Sequence, residues 1–285
     1  MRAVILLVAA IVLAFWAPTT FVAVSPAQAA QPLQISLDQS DKRFGKYYVK
    51  TLASLLYRPQ TTAPAPTIVF MHGCGGIGGL SMTSAESYGQ HFATLGYATL
   101  ILDINDDRHL KDMPCSNRAM SFGLLPVRGA DLDAAVKWLV ASNISLPEKI
   151  VSLGTSHGGE TTIEHDQQGH GSTKLAGEIA FYPGCDRGTP YARSPLLILI
   201  GEKDMSDGPR RSLALTCSDY ATAANRAGGA HVEAVTYPGA GHAFDVAGMG
   251  PGTSQSLNPT VSGYQEAAAK ASLAKIDAFL AQVFR

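Results

Sequence analysis

A serine set among glycines is the first pattern in this chain that points to chemistry: Gly154-Thr155-Ser156-His157-Gly158, followed by Gly159. A serine hydroxyl is a weak nucleophile at neutral pH, so it needs a base, a group that orients the base, and donors for the charge that develops on the substrate. The short apolar run before Gly154 and the polar, helix-compatible stretch after Gly159 predict a sharp strand-to-helix turn that lifts Ser156 clear of its neighbours. Glycine at 154 and 158 removes the Cβ atoms that would collide in such a turn. The same turn aims the backbone N–H of His157, and the positive end of the following helix, at a developing oxyanion. Glycine-serine-glycine spacing alone recurs in any glycine-rich chain, so the weight falls on its setting and on the partners that follow.

Both partners appear downstream, in the order acid then histidine. The apolar run Pro195 to Ile200 ends in Gly201-Glu202-Lys203-Asp204, which puts Asp204 on a loop at a strand's carboxyl end. Val232 to Tyr237 ends in Pro238-Gly239-Ala240-Gly241-His242-Ala243-Phe244, which does the same for His242. In these roles His242 takes the Ser156 proton and returns it to the leaving group, while Asp204 fixes the imidazole tautomer. Glu202 and Asp207 are the alternative acids. His157 is expected to act through its backbone rather than its ring, and His165, His170 and His231 to lie at exposed helix or loop positions. A second oxyanion donor is expected from the glycine loop His72-Gly73-Cys74-Gly75-Gly76, with the N–H of Cys74 as the candidate.

Such groups need a rigid scaffold. Tyr47 to Tyr57 reads as extended and Thr67 to Met71 as a short buried strand, with two antiparallel edge strands expected to open the domain. A helix is expected near Ala85 to Leu95, a strand from Tyr97 to Leu102, and a helix from Val127 to Ala141 with Asp131 and Asp133 on its polar side. Strands at Ile150–Leu153, Leu175–Phe181, Leu196–Ile200 and Val232–Tyr237 follow, and a helix from about Tyr264 to Phe284 closes the chain. The alternation predicts an α/β fold: a mostly parallel central sheet with helices on both faces.

The amino end indicates an address. Arg2 precedes an apolar run from Ala3 to Trp16, and Ala27-Gln28-Ala29 offers the small residues a signal peptidase requires, so residues 1–29 are expected to be a cleaved signal peptide and 30–285 a single domain. The apolar run is too short for a membrane span of about 20 residues. A periplasmic or secreted protein, with no membrane association after signal removal, is the expectation. The net charge of −1, without basic blocks, argues against a nucleic-acid partner. In an oxidising compartment the four cysteines can pair in three ways. Cys74–Cys115 and Cys185–Cys217 are preferred, because each pair joins loops at one end of the expected sheet. No spacing of the CxxC or HxxxH kind indicates a metal.

The motifs His72-Gly73-Cys74-Gly75-Gly76, Gly154 to Gly159, Tyr182-Pro183-Gly184-Cys185, Gly201 to Asp204 and Tyr237 to His242 resemble, over most of the chain, the dienelactone-hydrolase-like branch of the α/β-hydrolases. Dienelactone hydrolases carry cysteine at the turn where this chain has Ser156. The stretch Met205-Ser206-Asp207-Gly208-Pro209 also differs from the Trp-Thr-Pro-containing loop of similar exported relatives. The resemblance implies an α/β-hydrolase fold and a serine hydrolase. The expected reaction is cleavage of a small carboxylic ester through an acyl-serine intermediate, without metal or cofactor. A serine peptidase or acyltransferase of the same fold, and a non-catalytic binding protein, are the alternatives. Asp106, Asp107, Arg108 and Lys111 fall in a loop that reads as solvated surface, with Arg108 a candidate for substrate binding. Tyr182 and Phe244 are candidates for lining the pocket.

Overall fold

Alternate residues of the strand at the middle of the sheet enter different cores, which is why its run from Ile68 to Met71 is apolar without interruption. In β3 (Ala65–Met71), Ile68 and Phe70 pack in one buried cluster with Phe92 of α1 (Leu80–Thr94), whereas Val69 and Met71 pack in another with Leu132 and Val136 of α2 (Arg118–Ala141). A sheet covered on both sides requires such doubly apolar strands. The structure, a computed structural model, describes residues 31–36, 47, 49–105, 108–110, 115, 117–168, 174–204, 213–250 and 262–285. The expected signal peptide lies outside these residues, as do Asp106, Asp107, Lys111, His170 and the 205–209 loop with Asp207.

The sheet has eight strands in the order β1-β2-β4-β3-β5-β6-β7-β8. The remaining strands are β1 (Gln31–Ser36), β2 (Thr51–Tyr57), β4 (Ala98–Asp103), β5 (Ser145–Thr155), β6 (Gly177–Phe181), β7 (Leu196–Gly201) and β8 (Val232–Tyr237). β1 and β2 pair antiparallel at one edge, and β2 meets β4 antiparallel; every pairing from β4 to β8 is parallel. The helices α3 (His157–Gln168), α4 (Leu213–Arg226) and α5 (Glu266–Val283) complete the described elements. This is the α/β-hydrolase architecture.

Three elements extend beyond their sequence signals, α1 by starting five residues before Ala85. α2 starts nine residues before Val127, capped by the Asn117 side chain, which accepts from the Met120 N–H at 3.1 Å, and it runs on through Pro126. β5 begins at Ser145, and an irregularity in its register with β3 separates that residue from the buried stretch starting at Ile150. Disulfides join Cys74 to Cys115 and Cys185 to Cys217, with Cα separations of 5.3 and 5.0 Å. The first ties the loop after β3 to the approach to α2. The second ties the loop after β6 to α4.

Candidate active site

β5 ends at Thr155 and α3 begins at His157, which leaves Ser156 alone at the turn with φ of 53°. The left-handed backbone is costly for a residue with a Cβ, and such strain is held only where the surroundings enforce it. They do so here through close approach. A Cβ on Gly154 would lie 2.1 Å from the Gly158 carbonyl oxygen, and one on Gly158 would lie 2.1 Å from that of Met71. The Ser156 N–H donates to the Phe181 carbonyl at 2.9 Å, which fastens the turn to the end of β6.

The Ser156 hydroxyl donates to His242 Nε2 at 3.0 Å, and His242 Nδ1–H donates to Asp204 Oδ2 at 2.7 Å. Asp204 is fully buried and the His242 side chain is 12% exposed, so the acid is sealed while the imidazole edge meets the site. Backbone bonds hold the two supporting loops together: Glu202 N–H to Tyr237 O at 3.0 Å and Lys203 N–H to Ala240 O at 2.8 Å. Glu202, the alternative acid, instead accepts the Gly239 N–H at 2.8 Å from an exposed position.

Tyr182 sets the other side of the imidazole. Its ring meets that of His242 edge-on, with centroids 4.6 Å apart. Its hydroxyl donates to Asp245 Oδ1 at 2.8 Å, and Tyr88 donates to Oδ2 at the same distance. Burial pushes the Asp245 carboxyl up, against the two tyrosine hydrogen bonds that favour its charged form. Tyr182 thus stands against the site, but it is buried. Phe244 is fully buried among Phe181, Tyr182 and Tyr237, so it is a core residue rather than a wall of the pocket.

Arg108 also departs from its expected position. Its Nε donates to the Tyr47 carbonyl at 2.6 Å and its terminal nitrogens to the Ile104 carbonyl and Asp131 Oδ1 at 3.0 and 2.8 Å. A guanidinium held this way, with its side chain buried, is placed as a structural staple. Asp131 accordingly lies buried instead of on a polar face, its carboxyl raised by burial against the pull of Arg108. His165 is likewise buried, 2.9 Å from Asp133 Oδ1 and 3.5 Å from Glu178 Oε1. His231 is exposed, as expected.

The glycine loop comes up against Ser156: a Cβ on Gly73 would lie 3.4 Å from Ser156 Cβ and 3.9 Å from its Oγ. The Cys74 carbonyl accepts from Asn105 Nδ2 at 3.3 Å. His72 is buried and neutral: Nδ1–H donates to the Gly73 carbonyl at 2.6 Å and Nε2 accepts the Ile104 N–H at 3.1 Å. Burial, then the charge of Arg128, pushes its pKa down to about 3. The His157 ring is buried as well, and its Nε2–H donates to the Ser121 carbonyl at 2.8 Å. Arg128 of α2, which no motif singles out, donates from one terminal nitrogen to His157 Nδ1 and from the other to the His72 carbonyl. Among the described residues no group of three or more histidine, cysteine or acidic side chains is placed to hold a metal ion.

The profile of the dienelactone hydrolase family matches residues 52–284. The quorum-quenching protein AidA of Acinetobacter baumannii is 30% identical over 130 residues, a stretch covering 45% of this chain and 37% of that relative. The match therefore spans little more than a third of that relative's length. A dienelactone hydrolase-like promiscuous phosphotriesterase from metagenomic libraries superposes with a TM-score of 0.69 at 17% identity, over 92% of this chain and all of that one. Esterase 2 of Thermogutta terrifontis, phosphorylated by paraoxon, superposes with a TM-score of 0.61 at 20% identity, over 90% and 95% of the two chains. Those two likenesses establish the fold, and the profile match across nearly all of the described sheet adds the family: this chain belongs to the dienelactone hydrolase family of α/β-hydrolases.

Proposed function

We propose that this serine hydrolase cleaves a small carboxylic ester through an acyl-serine intermediate, with Ser156 as nucleophile, His242 as general base and acid, and Asp204 as the group that orients the imidazole. The observation that carries the reading is the unbroken hydrogen-bond path from the Ser156 hydroxyl through both nitrogens of His242 to a buried carboxylate. Ser156 Oγ attacks the ester carbonyl carbon as its proton passes to His242 Nε2. The N–H groups of Cys74 and His157 receive the oxyanion. Each such donor is typically worth about 10²- to 10³-fold in turnover. Collapse of the tetrahedral intermediate expels the alcohol, which takes the proton from His242. Water then loses a proton to His242, attacks the acyl carbon and releases the acid, restoring the serine.

The same reading places residues 1–29 as an export signal and 30–285 as the working domain. Two disulfides, and the absence among the described residues of any helix long and apolar enough to cross a membrane, are compatible with a periplasmic or extracellular site of action.

A fluorophosphonate probe tests the nucleophile, and short-chain p-nitrophenyl esters set against peptide anilides test the bond. Wild type is expected to take one label at Ser156 and to turn over the esters, while Ser156→Ala takes none. An unlabelled wild type, or a label that persists in the variant, removes the assignment; turnover confined to the anilides makes the protein a peptidase.

A further inference from the structure

The two proposed oxyanion donors come from separate parts of the chain, the loop after β3 and the start of α3, and their spacing must be fixed by something that touches both. One side chain does so. Arg128 is 1% exposed, and its two terminal nitrogens end on the His72 carbonyl, two residues before Cys74, and on the ring of His157 itself. Because His157 Nε2–H is committed to the Ser121 carbonyl, Nδ1 presents a lone pair, which can only accept. Ser121 and Arg128 are seven residues apart on α2, two helical turns, so they present from one face of a single rigid element. The path therefore runs from Ser121 O through the His157 ring and the guanidinium to His72 O, with one end in α2 and the other at the residue directly after β3.

We propose that Arg128 is a positioning residue of the oxyanion hole, clamping the loop that carries Cys74 to the turn that carries Ser156 and His157. The proposal rests on the serine-hydrolase reading of those residues. A guanidinium suits the task because its nitrogens point in fixed, coplanar directions, whereas a lysine ammonium is a single point on a flexible stem and cannot hold both acceptors at this spacing. Its charge also suits it: a cation behind both donors favours negative charge building up in front of them. Burial pushes the Arg128 pKa down to about 9, against the pull of Asp131, so the side chain remains charged at neutral pH. The imidazole it faces is held neutral, since burial and then Arg128 itself push His157 well below its usual value. Arg108 and Glu160 are the other charged groups acting on Arg128.

The test uses the full mature protein with Arg128→Lys and Arg128→Gln. Active sites are counted by fluorophosphonate labelling, so turnover is expressed per competent serine. The expected result is a fall in kcat on p-nitrophenyl acetate of about 10²-fold with KM changed less than about threefold. The inhibition constant of a trifluoromethyl ketone, which mimics the tetrahedral intermediate, should weaken by the same factor as kcat/KM falls. A side chain that only stabilises the fold would reduce yield or Tm and leave both quantities per labelled site near wild type; that outcome overturns the proposal. If wild type takes no label, the underlying serine reading fails instead, which is a separate result. Should neither variant fold, ¹⁵N spectra of wild type decide. A His157 ring that stays neutral with its proton on Nε2 across about pH 5 to 9 supports the clamp, and titration near the ordinary histidine value of about 6.5 overturns it.

Discussion

Of the histidines that face carboxylates, His242 and His165 do so at almost the same distance, yet the two suit opposite tasks. His242 meets Asp204 at 2.7 Å through Nδ1 and leaves Nε2 to the Ser156 hydroxyl. His165 meets Asp133 at 2.9 Å through Nε2 and has Glu178 at 3.5 Å from Nδ1. Burial alone would lower the His165 pKa, but the two acids outweigh it and raise the value to about 10. An imidazole between two acids stays protonated at neutral pH and has no lone pair to offer. What separates the proposed catalytic histidine from a structural ion pair here is asymmetry: one acid behind the ring and a hydroxyl in front of it. Placement in the sheet enforces the difference, since Asp204 and His242 follow adjacent strand ends, whereas His165 sits on α3 between α2 and β6.

The contrast can be broken most severely on the catalytic side. Asp204→Asn should lower kcat by about 10⁴-fold, because the amide holds the wrong tautomer, and His242→Ala by at least as much, with little change in Tm. Retention of a tenth of wild-type turnover by either variant would remove the asymmetry argument. On the structural side the pattern reverses. His165→Ala leaves Asp133 and buried Glu178 without their cation and should cost about 3 kcal/mol in urea denaturation, while turnover per labelled serine stays at the wild-type level. A drop in that turnover would mean that α3 transmits strain to the turn at Ser156.

The smallest effect is in pH. The folded pKa of His165, about 10, lies above the usual 6.5, so its stabilising contribution is complete below that value and is lost as pH rises through 10. Burial raises Glu178 from 4.5 to about 7, against the pull of His165, and this contribution too fades as pH rises between those values. The stability advantage of wild type over His165→Gln/Glu178→Gln should therefore shrink steadily from acid to alkaline pH. Urea midpoints that differ by a constant amount across that range would sink this account.

The placement of the proposed catalytic residues was legible in sequence, and that of the structural ion pairs was not. Ser156, Asp204 and His242 each follow an apolar run and stand among glycines, so their loops and order could be read directly. Arg128, Asp131 and His165 lie inside helices, where a polar residue reads by default as solvent-facing. A signal was nevertheless present in α2: Arg128 and Asp131 fall on the same stripe as Leu124, Ala135 and Leu139, all of them buried, and a charge on an apolar stripe needs a partner. The start of α2 was hidden by Pro126, since proline usually belongs to a helix's first turn. Arg108 was misplaced for a different reason. Its loop is polar in composition, and nothing in the sequence states that the guanidinium turns inward to Asp131.

The strand order carries a last consequence. Ser156 follows β5 and His242 follows β8, three strand intervals away, about 14 Å at ordinary sheet spacing. The 3.0 Å contact between them exists because the chain after β8 arches back over the ends of β7 and β6. Its footing on β7 is Gly201, where a Cβ would strike the Ala240 carbonyl at 2.5 Å, and on β6 it rests against the Tyr182 ring. The His242 imidazole is thus delivered by a bridge of fixed span rather than by the sheet. Adding or removing one residue in that crossing would leave eight paired strands and a buried Asp204, and would swing the imidazole away from the serine.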